Sequence, residues 1–239
     1  MQRTWWPVWG VVGGLAGVVS NLGFNDQNSV TDKQMASGAG VIEHLDRMNY
    51  QVGVVAGWVA IIGLLVTAAG WSRLAKSRSD EHLAWTVIPY GLLAAGASLI
   101  LGYGVKGALA EYLPGGANAD NFPAEGVYTM FVFNDNAPWV GWWGVLFAAG
   151  AASWLAFRQR GTVPIWLGVL GVLILLHAAV VMVGTGAVAL AGLTGPVWLV
   201  VSSIWLLVTS PERPPGSLIA ASPRRDLVAG DPEAGTGTP

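Results

Sequence analysis

This chain has no cysteine, and charge is scarce: 11% of its 239 residues are Asp, Glu, Lys or Arg, against roughly 25% in an average soluble domain. Without cysteine there is no disulfide framework, no thiolate metal site and no thiol nucleophile, whichever compartment a loop faces. The little charge is also unevenly spread. No Asp, Glu, Lys or Arg occurs in residues 51–72, 82–105, 136–157 or 163–211. A charge at the bilayer centre costs roughly 2.5–3.5 kcal/mol on an insertion scale, so gaps of this length are what a hydrocarbon environment demands. Chemical signatures are missing too: the chain carries no P-loop, no dinucleotide-binding fingerprint, no H-E-x-x-H and no G-x-S-x-G. A net charge of -2, with basic residues dispersed among short loops, excludes a nucleic-acid footprint.

What remains is 53% apolar sequence, and its layout predicts an all-α, polytopic transmembrane bundle. Six spans are expected, at about residues 5–20, 50–71, 85–105, 138–157, 163–184 and 192–209. The first is short and has Arg3 before it, so a cleaved signal peptide is the competing reading. Trp5, Trp6, Pro7 and Trp9 favour an uncleaved helix, because clustered Trp suits a membrane interface and Pro is tolerated in a first helical turn. Gly10, Gly13, Gly14 and Gly17 in that helix allow close approach by another. The stretch 41–49 is expected to run as helix into the second span. The apolar segment 127–133 is too short to cross and is read as interfacial. Pro114-Gly115-Gly116 marks a turn, and the break between the last two spans is placed between Gly184 and Gly195.

The six-span domain covers residues 1–209. Residues 210–239, rich in Pro, Gly, Ser and Ala, are expected to form a disordered cytoplasmic tail. Both termini are placed in the cytoplasm by counting positive charge. The inner segments then hold nine Lys or Arg residues, the outer ones Lys33, Arg47 and Lys106, which together exhaust the twelve in the chain. Two long outer loops, 21–49 and 106–136, would form a polar cap.

The stretch Leu101-Gly-Tyr-Gly-Val-Lys-Gly-Ala-Leu-Ala-Glu-Tyr-Leu-Pro-Gly-Gly116, with Asn121-Phe-Pro-Ala-Glu125 and Asn134-Asp-Asn-Ala-Pro-Trp-Val-Gly-Trp-Trp-Gly144, resembles a group of six-helix bacterial inner-membrane proteins that carry a domain of unknown function. The similarity in layout extends over about residues 5–209. It implies topology and a bacterial plasma membrane, and it implies no activity.

Candidate functional groups gather on the outer loops: Glu43, His44, Asp46, Arg47 and Asn49 before the second span, Lys106 and Glu111 after the third, Asn134, Asp135 and Asn136 before the fourth. A His beside carboxylates can hold a metal or move a proton. Glu43 and His44, however, are adjacent and would point about 100 degrees apart on a helix, so no metal site is expected. The alternative is a solvated helix with Glu43 and Arg47 as an i, i+4 pair. Lys106 either snorkels to the headgroups or pairs with Asp135 or Glu111 at the mouth of an outer cavity that takes an anionic group. His177, deep in the fifth span, is expected to make a structural hydrogen bond to Ser202, Ser203 or Thr185 in preference to acting as a ligand. The leading reading is a non-enzymatic accessory or interaction protein with the lipid bilayer, other membrane proteins and no cofactor as its company. The alternatives are a small-molecule or lipid binder or transporter with an outward-facing polar site, and a membrane enzyme using Glu43, His44, Glu111 and Asp135.

Overall fold

A computed structural model describes residues 5–24, 30–77, 82–159 and 161–209. The expected disordered tail lies outside these, as do Asp26, Arg78, Asp80, Glu81 and Arg160. Among the described residues the chain is all-helical: α1 (Trp6–Val18) continues as a π-helical turn, Val19–Gly23, then come α2 (Asp32–Met35), a 3-10 segment (Gly38–His44), α3 (Arg47–Lys76) and α4 (Leu83–Tyr112). The second half holds α5 (Ala124–Asn134), α6 (Ala137–Val140), α7 (Trp143–Arg158), α8 (Ile165–Thr185) and α9 (Ala191–Thr209).

Five helical stretches are long and apolar enough to cross a membrane: Arg47–Lys76, Leu83–Tyr112, Ala124–Arg158, Ile165–Thr185 and Ala191–Thr209, the third being α5, α6 and α7 in succession. The chain is therefore a multi-pass membrane protein. The 13-residue α1 falls short of that length by itself.

Local chemistry sets the helix limits. α3 starts at Arg47 because the Asp46 carboxylate accepts from Met48 N at 2.8 Å. This corrects the expectation of continuous helix from residue 41: a 3-10 segment occupies Gly38–His44 and Leu45 is extended, so Glu43 and Arg47 do not share a helix. α8 ends where Gly186 turns left-handed at φ 74°, the usual glycine stop. Gly192, Gly195 and Pro196, expected to help break the chain there, lie inside α9. Pro196 falls within the first two turns, where few i to i−4 bonds are lost.

Glycines set how closely the helices pack. A Cβ on Gly63 of α3 would sit 2.5 Å from Gly13 Cα in α1, and one on Gly91 of α4 would sit 2.5 Å from Gly144 O in α7. Gly10 faces Thr67 and Ser203, Gly13 faces Gly63, and Gly14 faces Pro196 and Val200. As numbers rise along α1 they fall along α3 and α9, so α1 lies antiparallel to both. The same crossing of numbers pairs α4 with α7, through Gly91 with Ala148 and Ala95 with Gly144, and α7 with α8, through Gly168 with Ala156 and Gly171 with Ala149.

One buried apolar cluster fills the bundle from Trp71 and Trp85 to Leu99 and Tyr103. Near one end, Trp6 meets Trp71 edge-on with ring centroids 6.3 Å apart, and Trp71 meets Trp85 at 6.2 Å. At the opposite end a second cluster, including Val41, Ile42, Leu45, Leu109, Val127 and Phe131, joins the 3-10 segment, α5 and the last turns of α4 into a folded cap. The segment expected to be interfacial is thus the helix α5, whose buried side builds this cap.

Candidate functional site

The centre of polarity inside the bundle lies under the cap, where α1 stops being an α-helix. At Val19 its backbone widens into a π turn, closed by Phe24 N donating to Val19 O at 3.2 Å, and Phe24 then leaves helical geometry. A helix end leaves carbonyls without intrahelical donors, and in a membrane interior no water is there to serve them. Lys106 of α4 serves them instead. Its Nζ donates to Ser20 O at 2.6 Å and to Phe24 O at 3.2 Å, and the whole residue is only 1% exposed. A cation at a helix carboxyl end also complements the macrodipole.

Further hydrogen bonds knit this point to the other helices. Ser20 Oγ donates to Gly53 O of α3 at 2.7 Å, and Asn21 Nδ2 donates to Gly192 O of α9 at 2.9 Å. Tyr103 OH donates to Asn21 Oδ1 at 3.3 Å while accepting from Trp142 Nε1 at 3.3 Å. Glycine makes the room: a Cβ at Gly53 would lie 2.8 Å from Lys106 Cδ, and Gly17 and Gly57 lie flat against the Trp142 and Tyr103 rings. Ser20, Asn21, Tyr103 and Lys106 are all buried. Together they tie α1, α3, α4 and α9, with Trp142 just before α7, into one polar lock.

The outer-loop candidates do not converge on it. Glu43 and His44 are exposed on the 3-10 segment. Glu111 is exposed and accepts a short hydrogen bond from Asn118 Nδ2, while its carbonyl accepts from Asn118 N at 3.2 Å, so it anchors the turn through Gly115 (φ 79°). Asp135 closes α5 and is exposed. Asn134, one residue earlier, is fully buried. Arg47 reaches across to α4, where its Nε donates to Ala110 O at 2.9 Å. Arg47→Ala is expected to destabilise the protein by about 1–2 kcal/mol, the worth of one charged hydrogen bond in a half-buried setting. Limited proteolysis should then cut first in residues 38–46, because the cap loses its tie to the bundle.

His177 lies on the exposed side of α8. Its three expected partners are engaged locally or buried elsewhere: Thr185 Oγ1 donates to Val181 O, Ser202 Oγ donates to Leu199 O, and Ser203 Oγ is buried against Gly10. Among the described residues no group of three or more His, Cys, Asp or Glu is placed to hold a metal ion. Concave surface is found at the other end of the bundle, where an open apolar groove of about 380 Å³ separates α8 from α9, lined by Trp166, Val201, Ile204 and Trp205.

The lock was only half visible in the sequence. Lys106 stands out as the charge that ends an apolar run, and glycines flank it. Ser20, Asn21 and Tyr103 carry no such mark, because Ser, Asn and Tyr are ordinary at the ends of spans; their role depends on α1 stopping level with residue 106. Comparison with protein-family models, curated proteins and solved structures gives no match to this chain.

Proposed function

We propose that this chain is a six-span accessory or interaction protein of a bacterial plasma membrane, without catalytic activity of its own, with both termini cytoplasmic and the folded cap outside. α1 with its π turn serves as the sixth span. Its antiparallel packing against α3 and α9 supports this, since alternation through six crossings requires that direction. The cap then lies on the side that carries few positive charges, in keeping with the positive-inside bias. The resemblance around residues 101–116 and 134–144 favours the bacterial setting.

The observation that carries the functional reading is the burial of Lys106 against Ser20 O and Phe24 O. Ionisable groups inside a membrane mark pathways and binding sites by default. Here the ammonium is held by the backbone of its own bundle, which makes it a structural brace. The remaining acid and base groups, Glu43, His44, Glu111 and Asp135, are exposed and spread over the cap. Such a surface suits contact with another protein better than chemistry on a small substrate. An outward-facing binding site would require Lys106 to leave both carbonyls.

The test is native mass spectrometry of the protein released gently from its own membrane, with Glu43→Gln, His44→Asn and Asp135→Asn as separate variants. A stoichiometric protein partner retained by each variant is expected, with folding stability changed by less than about 0.5 kcal/mol. A bound metabolite or metal that one of these substitutions abolishes would overturn the accessory reading.

A further inference from the structure

Of the five stretches long enough to cross a membrane, α8 is the one the bundle buries least, and its bare side is not uniformly apolar. Trp166, Leu173, His177, Val180 and Gly184 follow one another at spacings of three and four residues, with half-buried Leu170 on the same line, and all five are exposed. Leu173 is 59% and Val180 67% exposed, so His177 sits between two bare aliphatic side chains. It lies twelve residues from the first residue of the 21-residue helix and eight from the last, about 18 Å and about 12 Å of axial rise from the two ends. That is too deep for a short imidazole to reach either interface.

Lipid satisfies the leucines and valines of this face, since acyl chains are as apolar as they are. It does not satisfy His177, whose ring offers one N–H donor and one acceptor to surroundings that have neither. A second helix must supply them. We infer that α8 is the contact face of a parallel homodimer, in which His177 hydrogen-bonds to the same residue of a second copy across a two-fold axis along the membrane normal.

A second copy fits this surface for two reasons. Imidazole is its own complement, donor to acceptor, which is not true of a lysine or a carboxylate. A two-fold axis normal to the membrane also places both rings at the same depth, whereas an unrelated protein would have to match that depth independently. The three-four spacing is that of a left-handed helix pair crossing at about 20 degrees. His177 then takes the place that a single polar residue takes in such seams, where it pairs with itself and fixes the register. Gly184, one turn beyond Val180, has no heavy atom within 4 Å of an added Cβ, which leaves room for a partner backbone. Trp166 both ends the seam and lines the α8–α9 groove, which extends the surface available to the second copy.

The chain contains no cysteine, so one introduced thiol is unambiguous. In native membranes, mild oxidation of His177→Cys in the full chain should give a covalent species of twice the chain mass. Val55→Cys, which is 64% exposed on α3, should give none. With the wild-type seam labelled for energy transfer in liposomes, His177→Leu should weaken self-association about three- to thirty-fold, the range that one interhelical hydrogen bond supplies in a membrane. Cross-linking of His177→Cys no greater than that of Val55→Cys overturns the inference. So does an adduct to a protein of different mass, or unchanged association of His177→Leu. A monomeric result leaves the accessory reading standing, whereas a dimer that retains no other protein sinks that reading alone.

Discussion

Lys106→Met is expected to lower the thermal unfolding midpoint in mild detergent by roughly 10 °C, the largest loss from any polar substitution in this bundle. The methionine keeps most of the volume and removes the ammonium. Hydrogen bonds to a charged group contribute about 1.5–3 kcal/mol each, and a buried carbonyl left without a donor costs about 1–3 kcal/mol more. Nζ donates to Ser20 O and Phe24 O, so a total near 4 kcal/mol is reasonable, at about 2–4 °C per kcal/mol for a chain of this size. A lysine that merely reached for the headgroups would behave in the opposite way, since replacing it by an apolar residue at a span end is neutral or stabilising.

Arginine should not rescue the variant. Gly53 packs where the lysine stem passes, and a single added Cβ there would already approach Lys106 Cδ at 2.8 Å and Phe24 O at 3.0 Å. A guanidinium in the same slot brings five donors to the two carbonyls that Lys106 serves. Gly53→Ala should accordingly reproduce part of the Lys106→Met loss without touching any charge. The two variants together separate the brace from a ligand-binding role: a bound anion would vanish with Lys106→Met, whereas a brace shows itself in stability alone. Scanning calorimetry or a thermal aggregation assay of the detergent-purified variants decides the matter.

How much of this could be read from residues alone depended on which physical force was in play. Desolvation of charge acts on every residue of a span, so the charge-free runs marked where the long helices fall, and Ile165–Thr185 lies almost on its expected range, whereas α3 and α4 run on past theirs to Lys76 and Tyr112. Competition between local backbone patterns is a weaker signal. Residues 41–49 have helical periodicity, yet Asp46 is a better N-cap than a helix interior residue, and the helix restarts at Arg47. In α9, Gly192, Gly195 and Pro196 look like breakers, but they fall within the first two turns, and Gly192 packs its backbone against Trp139. The polar lock needed more than any of these. It joins residues 20, 21, 53, 103, 106, 142 and 192, and only the folded bundle brings those positions together.

Gly144→Leu is expected to abolish recovery of folded protein, and Gly144→Ala to cost about 3 kcal/mol, while Gly104→Ala is neutral or stabilises by a few tenths. All three replace a glycine in an apolar helix, so propensity by itself favours each change, with alanine better than glycine by about 0.8–1.0 kcal/mol in a helix interior. Surroundings reverse the sign at Gly144. A Cβ there would lie 2.6 Å from Ala95 N, and it would meet Gly91 O closer still, so both obstacles are backbone of α4 and neither can rotate away. Over-packing that forces backbones apart costs about 1–3 kcal/mol or more. It would also part α7 from α4 between Gly91 and Ala95, and with it move Trp142 off Tyr103. At Gly104 nothing lies within 4 Å of an added Cβ, so only the propensity gain remains. Yield of monodisperse protein and the unfolding midpoint, compared across the three variants, read out both effects. Equal behaviour at positions 104 and 144 would mean that α4 and α7 do not meet through Gly91 and Gly144.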